Sequence, residues 1–225
     1  MDKKILEIGC GRKPEFENSY RLDHKVKTRV GKSGKEAEKI GMEPDAEWLK
    51  NKWKRTNPST LSQLDDFEDT DVSIEKLPYD EDFFDLVLSS HVIEHMWRPN
   101  VPFHFSEVYR VLKPGGEYRI KCPNLKAAAI AYVNNDSQFF KNAQQQVGIE
   151  LHGNSLGHTF MSWVVSEGDD TLIYNRSGIE LGGLAHQWGW DFEQLSNLSS
   201  DVGFTNITAN YDILKDCEIN VTIRK

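Results

Sequence analysis

The feature that most constrains the fold of this chain is a short apolar strand that stops at two closely spaced glycines. Residues 4–8 (KILEI) favour a buried strand, and Gly9 and Gly11 follow it directly. In an open parallel sheet, ligands bind at the carboxyl ends of the strands, and glycines let the backbone approach a ligand without an intervening Cβ. The pattern predicts a ligand site near the amino terminus, although an ordinary strand-to-helix turn contains the same two glycines.

The residues after this turn indicate which ligand the site suits. A dinucleotide fingerprint has a third glycine at position 14, where a helix opens on a pyrophosphate, but this chain has Pro14. The next short strand, 20–23, ends at Asp23. An acid at the end of that strand is suited to bind the hydroxyl pair of a ribose. The sequence therefore favours a nucleoside ligand without a pyrophosphate over NAD or FAD.

Strand-like and helix-like segments alternate along the rest of the chain. The predicted strands are 71–74, 84–90, 117–122, 205–211 and 218–223, and the predicted helices are 101–112 and 191–200. The run 113–116 (KPGG) is expected to end the first of these helices, because proline and glycine commonly follow a helix. This alternation is typical of a largely parallel sheet with helices on both faces.

Length and charge limit the classes of function. The chain has 225 residues, which favours a single domain over 1–225, with a polar basic insertion at about 24–62. The net charge is −8, yet residues 21–55 contain eleven Lys and Arg against six Asp and Glu. The remainder is therefore strongly acidic, whereas nucleic-acid binders generally carry a basic face. Nucleic acid is not the expected partner.

Cysteine usage and hydropathy indicate the compartment. The three cysteines Cys10, Cys122 and Cys217 have no CxxC spacing, which argues against a disulfide scaffold and fits a reducing cytosol. The longest apolar run, 127–133, is far shorter than the ~20 residues that a membrane span needs. We expect a cytoplasmic protein with no membrane partner.

Three motifs in a fixed order resemble those of a known family. They are LEIGCG at 6–11, VSIEKLPYDEDFFDLVLSSHVIEH at 72–95 and EVYRVLKPGGEYRIKCPN at 107–124. With the turn at Gly203 and Phe204 and the closing strands, they resemble class I S-adenosylmethionine-dependent methyltransferases. The resemblance implies an α/β, Rossmann-like fold with a mixed sheet of seven strands, mostly parallel with an antiparallel last strand. It also implies S-adenosylmethionine as the cofactor.

The resemblance further implies where this cofactor binds. Glu7, Gly9, Cys10 and Gly11 would line its methionine and ribose side, Asp23 would bind the ribose, Ser73 and Ile74 the adenine, and Ser89 with Ser90 the amino-acid end. Family members often have Asp in place of Ser73, which weakens the expected contact with the adenine amine. Because of the insertion, Asp65 is an alternative to Asp23 as the ribose ligand.

A titratable trio, His91, Glu94 and His95, follows Ser90 directly, beside the expected position of the methyl group. On an α-helix these three residues share one face. One interpretation makes His91 or His95 the general base for the acceptor, with Glu94 orienting it. The trio is therefore the predicted catalytic set, and no metal is predicted.

Two other interpretations of the trio stay open. Ubiquinone-pathway O-methyltransferases and small-RNA 3′-end methyltransferases place Glu-x-x-Glu-His here and hold magnesium with it. This chain has His91 at the first of those Glu positions, and a hard cation prefers oxygen ligands, although His186 is a candidate for a further ligand. In the remaining interpretation, the trio only caps a helix and packs.

The predicted function is transfer of a methyl group to an oxygen or nitrogen of a small-molecule acceptor, a metabolite or a sugar. The segment at about 125–190 would cover this acceptor, and it contains two further histidines, His152 and His158. One alternative is an RNA ribose 2′-O-methyltransferase with a metal-assisted site. Another is a cofactor-binding pseudoenzyme without catalysis.

Overall fold

The computed structural model describes residues 3–9, 15–16, 18–23, 68–69, 72–147, 155–164 and 186–225. For Asp23, Glu68, Asp69 and Val147 it describes the backbone alone. The predicted insertion at 24–62 lies outside the described residues, as do Cys10, Gly11, Asp65 and His152.

A seven-stranded sheet with the order β3-β2-β1-β4-β5-β7-β6 forms the centre of the molecule. The strands are β1 (Ile5–Ile8), β2 (Tyr20–Asp23), β3 (Glu68–Asp69), β4 (Phe84–Ser90), β5 (Leu112–Pro123), β6 (Asn206–Ala209) and β7 (Glu218–Arg224). The pairs among β1 to β5 are parallel, whereas β7 is antiparallel to both of its neighbours. The predicted Rossmann-like sheet with an antiparallel last strand is confirmed, with six strands of four or more residues and a two-residue strand, β3, at one edge.

Five α-helices lie within the described residues: α1 (Val101–Val111), α2 (Leu125–Val133), α3 (Ser137–Val147), α4 (Leu156–Val164) and α5 (Phe192–Val202). Short 3₁₀ turns occupy Ile93–His95 and Arg98–Asn100. The last helix shows why such segments begin and end where they do. The Asp191 side chain accepts a hydrogen bond from Gln194 N at 2.9 Å, and Gly203 ends the helix at a φ of +110°, as an N-cap and a left-handed C-terminal glycine do. Among the described helices, none combines the length and the apolar character needed to cross a membrane.

The predicted strand at 71–74 is wrong, because residues 72–74 form a turn and the third strand is Glu68–Asp69. The reason lies in Val72. Its side chain is buried and its carbonyl oxygen accepts a hydrogen bond from His104 Nδ1 at 3.0 Å. These contacts direct the backbone of Val72 toward α1 and not toward a neighbouring strand.

The predicted break at 113–116 is also wrong in detail. Strand β5 begins at Leu112, which pairs with Phe84, and the register then shifts so that Glu117 pairs with Leu86. Gly115 adopts a φ of +77°, and its N–H donates to the Lys225 carbonyl at 3.0 Å. The KPGG run is therefore a bulge within a strand, which is a common role for glycine in sheets.

Two apolar clusters stabilise this arrangement. The larger one joins the sheet to α1 and α5 through side chains such as Phe105, Tyr118 and Leu195. The smaller one joins α2, α3 and α4 through residues that include Phe140 and Trp163. Apart from Cys217, the smaller cluster lies within the segment 125–190, so part of the predicted acceptor cover is a packed helical layer.

Candidate active site

Glu7, the residue before the last one of β1, is 3% exposed. The Glu7 carboxylate accepts hydrogen bonds from the backbone N–H of Glu15 (2.6 Å) and Phe16 (2.8 Å) and from Ser19 Oγ (2.6 Å). A carboxylate with three donors is fully engaged in shaping the chain that follows the strand. Glu7 therefore holds Glu15, Phe16 and Ser19 against the end of β1.

Gly9 adopts a φ of +63°, and a Cβ built on it would lie 2.3 Å from Val92 Cγ2. Its N–H donates to the Leu22 carbonyl at 2.8 Å, which ties β1 to β2. Both the left-handed backbone and the close approach require glycine here. The close approach of Gly9 to Val92 also places Gly9 against the segment that contains the titratable trio.

Asp23, Ser89 and Ser90, which are also predicted to bind the cofactor, lie at the same edge of the sheet. Ile8 pairs with Leu22 on one side and with Ser89 on the other, so β1, β2 and β4 end together, with Asp23 as the last residue of β2. Ser90 is partly exposed at the end of β4, whereas the Ser89 side chain is completely buried. Ser73 is half-buried in the turn before β4, and Ile74 beside it is 60% exposed.

His91 leaves β4 in a left-handed conformation with a φ of +55°, which is uncommon for a residue with a Cβ. Its N–H donates to the Lys121 carbonyl at 2.8 Å. Its ring nitrogens contact two carboxylates, with Nδ1 at 3.1 Å from Glu94 Oε1 and Nε2 at 2.5 Å from Glu218 Oε1. The other Glu218 oxygen accepts from Gln146 Nε2 at 2.6 Å. Such local strain at the end of a strand is typical of functional sites.

The charges of this group follow from its burial and its contacts. Burial opposes a charged imidazole, but hydrogen bonds to Glu218 and Glu94 outweigh it and raise the pKa of His91 to about 10. Burial likewise opposes ionisation of Glu94, but the His91 hydrogen bond and the nearby histidines hold the pKa of Glu94 below its ordinary value. At neutral pH His91 is therefore an imidazolium between two carboxylates.

The trio does not share a helix face as predicted. Ile93–His95 is a 3₁₀ turn that begins after the left-handed His91, so the two histidines have different surroundings. His95 packs edge-to-face against His186, with ring centroids 4.8 Å apart. The structure thus brings His186 to the trio and places His158 on α4, where it is half-buried.

Glu94, His95 and His186, which we call the Glu94 cluster, each offer one ligand atom, and these atoms lie within 4.8 Å of one another. Glu94 is 1% exposed, and neither its Oε2 nor His95 Nδ1 has a hydrogen-bond partner among the described residues. His186 donates from Nδ1 to the Trp163 carbonyl at 3.0 Å. Burial, with His95 beside it, lowers the pKa of His186 to about 4. His186 is therefore neutral at pH 7 and keeps a lone pair on Nε2.

The backbone around His186 fixes it against the 3₁₀ turn. The N–H groups of Gln187 and Trp188 donate to the Glu94 carbonyl at 2.6 and 3.3 Å, and Leu125 N–H donates to the Trp190 carbonyl at 2.9 Å. Residues 186–190 therefore connect the end of β4 to the start of α2. The cluster is held by backbone contacts on two sides.

Sequence reasoning missed Glu218 as part of the site. Its only signal is topological. Because β7 is antiparallel to β5, with Glu218 opposite Pro123, the first residue of β7 lies at the edge where the parallel strands end. A glutamate that opens an antiparallel last strand is thus a site candidate once the strand order is known.

Comparison with known proteins identifies the family. A family model described as a methyltransferase domain matches residues 6–120, just over half of the chain. The chain belongs to this family. The match begins in β1 and ends in β5, so this methyltransferase carries both the glycine turn and the His91 segment within the family's own region. The predictions of a class I methyltransferase and of an enzyme are confirmed.

Individual relatives are distant. The chain is 27% identical over 185 residues to an uncharacterized methyltransferase of Schizosaccharomyces pombe, an alignment that covers 73% of this chain and 65% of the relative. It thus spans slightly less than two thirds of that relative's length. A solved SAM-dependent methyltransferase from Archaeoglobus fulgidus has a TM-score of 0.52 and 13% identity, over 99% of this chain and 86% of the other. A second, from Mesorhizobium loti, has a TM-score of 0.47 and 13% identity, over 99% and 91%. At these identities, the likeness to the Archaeoglobus structure shows the fold alone.

Proposed function

We propose that this methyltransferase uses S-adenosylmethionine to methylate an oxygen or nitrogen of a small metabolite or sugar. The position of the Glu94 cluster carries the proposal. Two of its residues, Glu94 and His95, lie in the 3₁₀ turn that follows β4, and Val92 before this turn lies against Gly9. The cluster's unpartnered acceptor atoms suit an O–H or N–H group, and the net charge of −8 favours a small acceptor over nucleic acid.

The edge formed by β1, β2 and β4 fits this cofactor. Gly9, Asp23 and Ser90 stand at the aligned ends of these strands and would hold it, while Glu7 holds the chain that follows β1. When bound, S-adenosylmethionine supplies an electrophilic methyl group. What is left to the chain is to align the acceptor and exclude water, which can contribute about 7–11 kcal/mol.

The predicted catalytic trio divides into two roles in this proposal. His91 donates both of its ring N–H groups to carboxylates, so it has no lone pair with which to accept a proton. We therefore assign His91 to positioning, because its bond to one oxygen of Glu94 orients the other oxygen. Glu94 and His95 then form the end of the site that meets the acceptor.

The function is tested by incubating the protein with S-adenosylmethionine and separate pools of small metabolites, sugars and structured RNA. We expect S-adenosylhomocysteine to form with a fraction of the small molecules, above the level without acceptor. Product with RNA alone would contradict the proposal.

The role of His95 is tested once an acceptor fraction is found. We expect His95→Ala to lower turnover by ~10²–10⁴-fold while calorimetry shows unchanged cofactor affinity, because the cofactor contacts lie elsewhere. His158→Ala is the matched control, since it removes a histidine of α4 outside the cluster. Equal turnover in the two variants would remove His95 from the chemistry.

A further inference from the structure

The Glu94 cluster contains an unusual surplus of buried acceptor atoms. A buried polar atom without a hydrogen bond costs about 1–3 kcal/mol, and native proteins have few of them. Here Glu94 Oε2 and His95 Nδ1 both lack a partner among the described residues. His186 Nε2 adds a third lone pair, because Nδ1 of that ring carries the proton donated to Trp163. Three such atoms that lie close together, two of them without a partner among the described residues, suit a cation.

The surroundings of the cluster are those of metal ligands. A ligating histidine usually donates its other ring N–H to a carbonyl or a carboxylate, which fixes the ring and its tautomer. His186 does so with the Trp163 carbonyl at 3.0 Å. A ligating carboxylate is in turn hydrogen-bonded, and Glu94 Oε1 accepts from His91 at 3.1 Å. Both ligands thus have outer partners that aim their remaining lone pairs into the cluster.

We infer that Glu94, His95 and His186 form a binding site for a divalent ion of borderline softness, with Zn²⁺ as its probe. Two imidazole nitrogens and one carboxylate oxygen suit such an ion, whereas Mg²⁺ prefers oxygen ligands. Ligand bonds of about 2.0–2.2 Å place tetrahedral ligand atoms about 3.4 Å apart. The observed separations of up to 4.8 Å require only small side-chain rotations.

The metal site also adds a detail to the proposed function, and this part of the inference rests on that function. Three protein ligands leave a coordination position open, as in catalytic zinc sites. An ion here would lie at the acceptor end of the proposed methyltransferase site, so the acceptor it selects carries a group with a lone pair able to bind the metal, such as a hydroxyl or an amine.

The test is direct metal binding, with no acceptor needed. Tag-free protein, stripped with a chelator, is titrated with Zn²⁺ in competition with a chromophoric chelator. We expect the parent protein to bind Zn²⁺ and His186→Ala to lose this binding. In Glu94→Gln and His95→Ala the affinity for Zn²⁺ should fall by more than the 10–100-fold that is typical of outer-shell changes. His158→Ala is the matched control and should bind like the parent. Melting curves with and without Zn²⁺ give a second readout, because an ion that binds only the folded state raises Tm, and this rise should vanish in folded His186→Ala.

Zn²⁺ binding that persists in both Glu94→Gln and His186→Ala would overturn the inference, as would the absence of any Zn²⁺ binding or displacement by equimolar Mg²⁺. The outcome is separable from that of the proposed function. Chelator-insensitive methylation of a small molecule by protein that binds no Zn²⁺ would end the metal site and keep the function. Zn²⁺ binding that disappears in His186→Ala, in a protein that methylates no small molecule, would keep the metal site and end the proposed function.

Discussion

At the residue scale, the imidazolium of His91 lies between two carboxylates and connects three elements of the fold. The contact joins the end of β4, the 3₁₀ turn and the start of β7 through Glu94 and Glu218. Removing one member of a buried charged group leaves the others without compensation. The group therefore makes the geometry of the proposed acceptor end depend on the last strand of the sheet.

Glu218→Gln tests this dependence. The substitution keeps the shape of the side chain but removes one of the two charges that stabilise His91, and hydrogen bonds to charged groups contribute about 1.5–3 kcal/mol. We expect the free energy of unfolding in urea at pH 7 to fall by about that amount.

Glu117→Gln is the matched control for this loss. Glu117 pairs with Arg119 and Arg224, whose side chains are 42% and 59% exposed, and exposed pairs contribute about 0–1 kcal/mol. An equal loss in the two variants would show that the His91 group contributes no more than a surface ion pair.

At the scale of elements, the glycine turn couples β1 to the His91 segment through the contact of Gly9 with Val92. Gly9→Ala adds both a Cβ at 2.3 Å from Val92 Cγ2 and the cost of a left-handed backbone, about 1–2 kcal/mol. We expect a loss of stability and weaker binding of S-adenosylmethionine, because the turn must shift. Thermal unfolding and calorimetry measure the two effects.

A second variant separates the two causes. The double variant Gly9→Ala with Val92→Ala removes the clash and keeps the backbone strain. Part of the cofactor affinity that Gly9→Ala loses should therefore return, with Val92→Ala alone as the reference. Gly157→Ala is the control for glycine replacement as such. Gly157 lies in α4, and a Cβ added to it would have Tyr132 Oη as its nearest neighbour, at 3.5 Å. Alanine there should be neutral or stabilising by up to about 1 kcal/mol. If Gly9→Ala behaves like Gly157→Ala, the turn does not need glycine.

The elements differ in how far the sequence predicts them, for physical reasons. The observed bounds of strand β4 agree with the prediction, because a short segment rich in phenylalanine, leucine and valine favours a buried strand in a parallel sheet. The 3₁₀ turn at Ile93–His95 was not predicted, because the left-handed His91 that precedes it is stabilised by Glu218, which is distant in sequence. The sequence indicates His186 only as a candidate further ligand, because its contact with His95 also joins residues that are distant along the chain. Local patterns predict local elements, whereas the site depends on contacts made by the sheet.

At the scale of the whole molecule, stability depends on histidines that are buried without charge. His104 is completely buried on α1, donates from Nδ1 to the Val72 carbonyl and accepts from the Tyr118 hydroxyl at Nε2, both at 3.0 Å. Burial lowers the pKa of His104 to about 4, although the hydrogen bond to the Val72 carbonyl and the nearby Glu107 carboxylate oppose this shift. Burial has the same effect on His186. Both rings are neutral in the folded protein at pH values where an unfolded chain already binds protons.

The sign of the resulting pH dependence follows from linkage. Between about pH 6.5, where histidine titrates in the unfolded chain, and pH 4, the unfolded state binds more protons than the native state. Stability therefore falls as the pH is lowered through this window, by about 1.4 kcal/mol per pH unit for each proton taken up. His91 adds no slope there, because its raised pKa keeps it charged in both states below pH 6.

We expect urea unfolding in the presence of a chelator to show this slope from pH 6 to pH 4.5, and His104→Gln to reduce it by about one proton. Glutamine can still donate to the Val72 carbonyl or accept from the Tyr118 hydroxyl, but it does not titrate, so the variant loses the coupling without an added charge. Measurements between pH 7 and pH 8 serve as the internal control, because there His104 is neutral in both states and the curves of parent and variant should run parallel. An unchanged slope below pH 6 in folded His104→Gln would mean that the native core accommodates the protonated ring, and that burial does not keep His104 neutral.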